Sequence, residues 1–277
     1  MQNIDELRKQ AQKIRISIIE MLTEARSGHP GGSLSATEIV TALYFSEMRH
    51  DPKRPKWEER DRFVISKGHG VPAVYAAMAH AGYFPQEELM TLRKTGARLQ
   101  GHPDPAKLPG MEAATGSLGQ GLSIAQGMAL AARLSGSKSH TYCLLGDGEL
   151  QEGQVWEAAM SAPNFKLGGL TAIIDYNGGQ IDGPTAEVMN LEPIADKWRA
   201  FNWKVTAVDG HDFTQLLPAL AAAKKEDPKT GRPHLIVANT VKGKGVSFME
   251  HKIGWHGVAP SKDDCAKACE EIRSKLV

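Results

Sequence analysis

Residues 141–183 read TYCLLGDGELQEGQVWEAAMSAPNFKLGGLTAIIDYNGGQIDG, and their pattern decides the fold. Two short apolar runs, TYCLLG (141–146) and LTAIID (170–175), stand either side of a helix-like segment at 151–161, and each run ends in a glycine-rich loop. Runs that are apolar at every position read as strands buried on both faces. Strand, helix and strand at this spacing predict neighbouring parallel strands joined by a crossover. The loops GDGELQEG (146–153) and YNGGQIDG (176–183) then leave from one end of the sheet, where open α/β sheets bind ligands.

The same alternation continues outward. FVIS (63–66), WKVTAV (203–208) and HLIVAN (234–239) are further runs expected to be buried on both faces, with helix-like segments near 71–81, 119–134, 192–201 and 212–225. Upstream, Ile4, Leu7, Ala11, Ile14, Ile18 and Leu22 follow a helical period as far as the breaker run SGHPGG (27–32). A second helix is expected from about Ser35 to Met48. The fold class is therefore α/β, a parallel β-sheet flanked by helices on both faces. Domains usually run about 100–200 residues, so residues 1–277 are expected to form a single domain.

Lys and Arg number 33 against 32 Asp and Glu, a formal charge of +1, and 41% of residues are hydrophobic. That balance excludes a disordered or collagen-like chain and argues against nucleic acid or an acidic membrane as partner. No apolar stretch approaches the ~20 residues of a membrane span. The charged start MQNIDELRKQAQKIRISIIEM lacks the apolar core of a secretory signal, so a cytoplasmic location is expected. Plain thiols are expected of the cysteines: Cys143 lies inside an apolar run, and Cys265 and Cys269 lack the further ligands of a metal tetrad.

Glycine recurs in the strand-end loops KGHG (67–70), GDGELQEG, YNGGQIDG and TVKGKG (240–245). Asp147 and Asn177 lie 30 positions apart at the ends of two neighbouring strands, so their side chains can project to one point. A carboxylate, an amide oxygen and a backbone carbonyl from the Gly-Gly turn are hard oxygen donors suited to Mg2+ or Ca2+. Loop glycines and the helix after Gly153 would add N–H donors, which reads as a diphosphate site with a bridging metal. Four of the ten histidines, His29, His69, His102 and His256, fall in loops that can converge on the same cleft, and imidazole moves protons near neutral pH. Lys67, Lys242 and Lys244 could pair with phosphate, but lysines at loop edges are ordinarily solvated. Asp212 is expected to cap the helix after it, His211 to be structural, and KDDCAKACEEIRSKL (262–276) to be a surface helix.

Taken in order, five blocks resemble the transketolase family over nearly the whole chain. They are SGHPGGSLSATEI (27–39), KGHG (67–70), GHPD with ATGSLGQGLSIAQGMALA (101–104 and 114–131), GDGELQEGQVWEA with IDYNGGQIDG (146–158 and 174–183), and KGKGV with WHGVAP (242–246 and 255–260). The resemblance implies thiamine diphosphate as cofactor, with Mg2+ (or Ca2+) held by Asp147, the Asn177 side chain and the Gly179 carbonyl. It implies that Gly148, Asn177, His256 and the Gly116-Ser117-Leu118 turn lie against the cofactor, and that His69 contacts its diphosphate. His29, His102 and His256 would be the catalytic and sugar-binding imidazoles. Arg93 would meet the substrate phosphate, and Glu152 would sit at the interface between subunits.

Ser117 stands where many transketolases have proline, and LQGHP (99–103) replaces the common TPGHP. A full transketolase continues with a pyrimidine-binding and a C-terminal domain, which are expected to be absent from this chain. Two explanations remain open, an excised domain or one chain of a split enzyme, and the expectation is the second: the N-terminal, diphosphate-binding subunit of a split transketolase, inactive alone. A separate C-terminal transketolase subunit would supply the pyrimidine-binding domain and a catalytic glutamate, in an α2β2 assembly docked over an exposed apolar patch. The implied reaction moves a two-carbon ketol unit from a ketose phosphate to an aldose phosphate. Two other readings stay open at this point: the α subunit of a 2-oxo acid dehydrogenase's decarboxylating component, and a non-catalytic cofactor-binding module.

Overall fold

Five strands form one all-parallel sheet: β1 (Arg62–Ile65), β2 (Thr141–Gly146), β3 (Leu170–Tyr176), β4 (Lys204–Asp209) and β5 (His234–Asn239), in the order β1-β2-β3-β5-β4. The computed structural model describes residues 3–275. Alternate residues of a strand face opposite sides. Ile65, Tyr142, Leu144, Ile173 and Ile236 accordingly join one core, while Val64, Cys143, Leu145, Ile174 and Val237 join the other. The central strands β2 and β3 are buried along their apolar length, as expected. For WKVTAV the expectation fails: β4 is an edge strand paired with β5 alone, and its Ala207 and Asp209 are exposed.

Helices cover both faces, which accounts for strands apolar at every position. In chain order they are α1 (Ile4–Ala25), α2 (Pro30–Ser35), α3 (Thr37–Ala42), α4 (Val71–His80), α5 (Gln120–Ser135), α6 (Gly153–Asn164), α7 (Thr185–Val188), α8 (Ile194–Ala200), α9 (Phe213–Lys224) and α10 (Lys262–Ser274). The first core is closed by α1, α3, α4 and α9, and α10 lies along α1 through Ala268, Cys269 and Ile272. The second is closed by α5, α6 and α8. KDDCAKACEEIRS is thus a surface helix with one buried stripe, and Leu276 lies outside the described residues.

Local chemistry sets the ends of these elements. α1 begins where the Asn3 side chain accepts from the Asp5 N–H, and it stops at left-handed Arg26. The second helical region starts at Pro30 rather than Ser35, because a proline at the first position of a helix lacks only an N–H that would have had no partner. SGHPGG is therefore half breaker and half helix start. Past α3 the chain closes in a π-helical turn, Leu43–Glu47. Asp212 caps α9 by accepting from the Thr214 N–H, and all three cysteines are free thiols.

Register decides what the sheet presents at its carboxyl edge. Gly146 pairs with Asp175 and Tyr176 with Asn239, so the chain leaves β2, β3 and β5 at adjacent points, with the end of β1 beside them. Among the described residues no helix is long and apolar enough to cross a membrane.

Candidate functional site

The loops leaving β1, β2, β3 and β5 surround a cavity of about 420 Å3. Its wall brings together His29, His69, His102, His256, Gly116, Leu118, Asp147, Gly148, Glu152, Asn177 and Gly179. Asp147 follows the last residue of β2, and its carboxylate accepts from the N–H groups of Gly148 (2.8 Å) and Gly178 (2.5 Å), which ties the end of β2 to that of β3. Burial, then the charge of Asp175, pushes its pKa up to about 6. Asn177 donates from its amide to the Asp175 carboxylate (3.1 Å), and its Oδ1 accepts from the Gly179 N–H (3.2 Å). Lys242, beyond β5, donates to the Gly179 carbonyl (2.8 Å).

Two buried carboxylates support this wall, Glu149 as part of it and Asp175 behind it. Asp175 accepts from Ser35 (2.5 Å), Lys67, Thr240 and Asn177. Burial works to raise its pKa, but Lys67, Ser35 and Thr240 outweigh it and hold the group ionised below the usual carboxylate range. Glu149 accepts from Ser66 and from the N–H groups of Gly119 (2.9 Å) and Gly146 (3.0 Å), so one side chain ties the Gly116–Gly119 turn to the ends of β1 and β2. The lysines correct the sequence reading. Lys67 and Lys242 are 2% and 3% exposed, not solvated, whereas Lys244 stays at the surface, 3.8 Å from Glu250. Burial, then the Lys67 charge, lowers Lys242 to about 8.

Three imidazoles pack together: ring centroids are 5.1 Å apart for His29 and His69, 5.2 Å for His69 and His256, and 5.6 Å for His29 and His256. Burial is the main cause that lowers their pKa values, to about 4 for His29, about 2 for His69 and about 3 for His256, with nearby Arg93, Lys67 and Lys242 respectively adding to it. His102 is lowered in the same direction by burial and Arg93. All four are therefore neutral at pH 7, each with one ring nitrogen that donates and one that accepts. Nδ1 of His29 and of His256 is buried with no hydrogen-bond partner among the described residues. Two glycines are sterically required. A Cβ on Gly68 would lie 2.1 Å from the Thr115 carbonyl oxygen, and one on Gly148 would lie 2.7 Å from Cβ of Gln180.

Two expected residues are off the wall. Ser117 is exposed on the turn between Gly116 and Leu118. Arg93 donates to Ser27 Oγ (2.9 Å) and to the Gly101 carbonyl (3.4 Å), where it braces the segments that carry His29 and His102. Sequence reasoning passed over Asp175 and Glu149. For Asp175 a signal existed, since an acid inside a run buried on both faces has to be paired. For Glu149 none did.

The donor set fits a phosphorylated ligand and a hard cation. One carboxylate, one amide oxygen and one carbonyl leave coordination positions for ligand oxygens and water, and two buried ammonium groups stand beside them. Among the described residues no group of three His, Cys, Asp or Glu forms a cage for a metal ion. Such a site belongs to the α/β proteins that hold a phosphorylated cofactor at the carboxyl edge of a parallel sheet.

Comparison with known proteins names the family. The family model for transketolase, thiamine diphosphate binding domain, matches residues 7–275. The 6-deoxy-6-sulfo-D-fructose transketolase subunit SqwG of Clostridium sp. (strain MSTE9) is 47% identical over 99% of this chain and 98% of its own length. One subunit of the apulose-4-phosphate transketolase of Phocaeicola vulgatus is 41% identical over 99% of this chain and 96% of its own. Human transketolase is 42% identical over 99% of this chain, which spans 43% of that longer protein. The crystal structure of transketolase from Campylobacter jejuni superposes with a TM-score of 0.90 at 35% identity, covering 99% of this chain and 43% of that one. The chain belongs to the transketolase family, as its thiamine diphosphate-binding domain. That membership sets aside the 2-oxo acid dehydrogenase reading.

Proposed function

We propose that this chain is the N-terminal, cofactor-binding subunit of a two-chain transketolase. With a separate C-terminal subunit it transfers a two-carbon ketol unit from a ketose phosphate to an aldose phosphate. The convergence of Asp147, Asn177, Gly179, Lys242 and four neutral imidazoles on one cavity carries this reading. The relatives named as subunits match it end to end, and their names point to specialised sugars, so a branched or sulfonated ketose is a candidate donor.

Thiamine diphosphate, when bound, accepts the electron pair released as a carbon–carbon bond beside a carbonyl breaks. The chain's own residues bind, orient and move protons. Asp147, Asn177 Oδ1 and the Gly179 carbonyl hold Mg2+ (or Ca2+), while His69, Lys242 and the Gly148 backbone hold the diphosphate. Gly116 and Leu118 pack against the rest of the cofactor. His29, His102 and His256 orient the sugar hydroxyls and exchange protons with them. Burial, with the Arg93, Lys67 and Lys242 charges adding to it, keeps these imidazoles neutral, so each offers one ring nitrogen to accept a hydroxyl proton and one to donate. Arg93 acts through His29 and His102 rather than on the sugar phosphate. Glu152 faces the other subunit from the rim, and exposed Ile181, Val188 and Met189 supply apolar surface for docking. An α2β2 assembly in the cytoplasm completes the reading, with 1–277 as one diphosphate-binding domain.

Mixing the chain with a candidate C-terminal subunit, thiamine diphosphate and Mg2+ should give ketol transfer to ribose 5-phosphate and no decarboxylation of pyruvate. Cofactor binding with neither activity would overturn the proposal and favour the non-catalytic module. In the active mixture, His102→Ala should lower kcat by about 10²–10⁴-fold while leaving cofactor affinity nearly unchanged. An equal loss of both contradicts the role in handling sugar hydroxyls.

A further inference from the structure

We propose that a buried Arg15–Glu38–His211 cluster is the positioning device for Lys242, gripping the 240–246 loop by its backbone on both sides of that lysine. The three residues come from α1, α3 and the turn between β4 and α9. Arg15 and Glu38 are 2% and 6% exposed. One carboxylate serves two partners: Arg15 Nη2 lies 2.5 and 2.6 Å from its two oxygens, and His211 Nδ1 lies 2.8 Å from Oε2. An ionised carboxylate only accepts, so Nδ1 carries the proton. Nε2 of the same ring accepts the Val241 N–H at 2.9 Å, which requires the neutral ring, since an imidazolium has no acceptor. Arg15 Nε donates to the Lys244 carbonyl at 3.0 Å. The two holds thus bracket Lys242, whose ammonium reaches the Gly179 carbonyl.

None of the three residues lines the cavity, so their part is to place another group. An ion pair taken out of water contributes little net stability by itself, and what it can supply is a defined geometry. Thr240 and Gly243 are held elsewhere, on Asp175 and on the Gly31 carbonyl, which leaves the Val241 N–H to the cluster. The loop half of the inference stands on this geometry. Its functional half rests on the proposed role of Lys242 toward the cofactor.

The test compares the unaltered full chain with three variants. His211→Phe keeps the ring volume and removes both bonds, and His211→Gln keeps a donor and an acceptor on one planar group. Arg15→Lys keeps the charge beside Glu38 and loses the bond to Lys244. Readouts are amine acetylation mapped by mass spectrometry, with exposed Lys138 outside the loop as internal reference, and amide exchange of the 240–246 segment. Loss of a buried hydrogen bond predicts about a tenfold rise in Lys242 acetylation and Val241 exchange for His211→Phe, largely restored in His211→Gln. Arg15→Lys should raise Lys242 acetylation in the same direction. Calorimetry with thiamine diphosphate and Mg2+, on the chain with its partner subunit, should show binding weakened in step. Lys242 labelling unchanged in both His211→Phe and Arg15→Lys overturns the proposal. So does a rise spread evenly over all lysines, or a His211→Gln chain as loose as His211→Phe. If the unaltered complex binds no cofactor, the functional reading falls, while the labelling still decides the loop claim.

Discussion

Lys67 and Asp175 stand 108 positions apart in sequence and meet where neither can reach water. Removing one partner leaves the other charged and alone, at about 3–5 kcal/mol. Asp175→Ala should lower the unfolding free energy in urea by that amount, and a loss below about 1 kcal/mol would show the pair behaving like an exposed one. Glycines divide in the same way. Gly68→Ala drives a methyl group into the Thr115 backbone and should distort the turn that carries His69. Gly127, exposed inside α5, has no atom within 4 Å of an added Cβ, so Gly127→Ala should stabilise the chain by about 0.5–1 kcal/mol, seen as a higher melting temperature. The meeting of Asp147 and Asn177 on one cavity wall was legible because strand ends fix where a side chain can go. Lys67 was not, because its burial depends on Asp175 near the end of another strand, and no local pattern encodes that pairing.

Elements were legible where one period dominates. β2, β3 and α1 repeat an apolar pattern long enough to outweigh local exceptions, and their observed limits fall within a few residues of those expected. β4 misled because its composition resembles the central strands, whereas its exposure follows from a place at the edge that only the strand order specifies. The start of α2 was hidden by proline and glycine, which serve equally as breakers and as helix starts. α10 offers a clean test of capping. Ser261 accepts from the Asp264 N–H while Asp264 accepts from the Ser261 N–H, a reciprocal box at the first turn. Ser261→Ala should cost about 1 kcal/mol, measured by denaturant unfolding, and Ser261→Asp should recover most of it.

For the molecule as a whole, acid is the informative perturbation. His29, His69 and His256 at the cavity, and His140, which meets Thr171 at 2.8 Å in the core, all have pKa values driven below 6.5, chiefly by burial. Below that pH the unfolded chain takes up protons that the folded one refuses, so stability present above pH 6.5 is lost as the pH falls toward about 4, the value for His140. The melting temperature of the ligand-free chain should drop steadily over that interval, and His140→Gln should remove part of the slope. A flat profile there would contradict the folded-state values. The helix α10, capped by its own serine and seated along α1, has a further implication. In the proposed two-chain enzyme the sheet and its cavity hold together without a covalent tether to the other half. Catalysis by an untethered pair should then fade on dilution, whereas a fused relative keeps its halves at an effective millimolar concentration however dilute the solution.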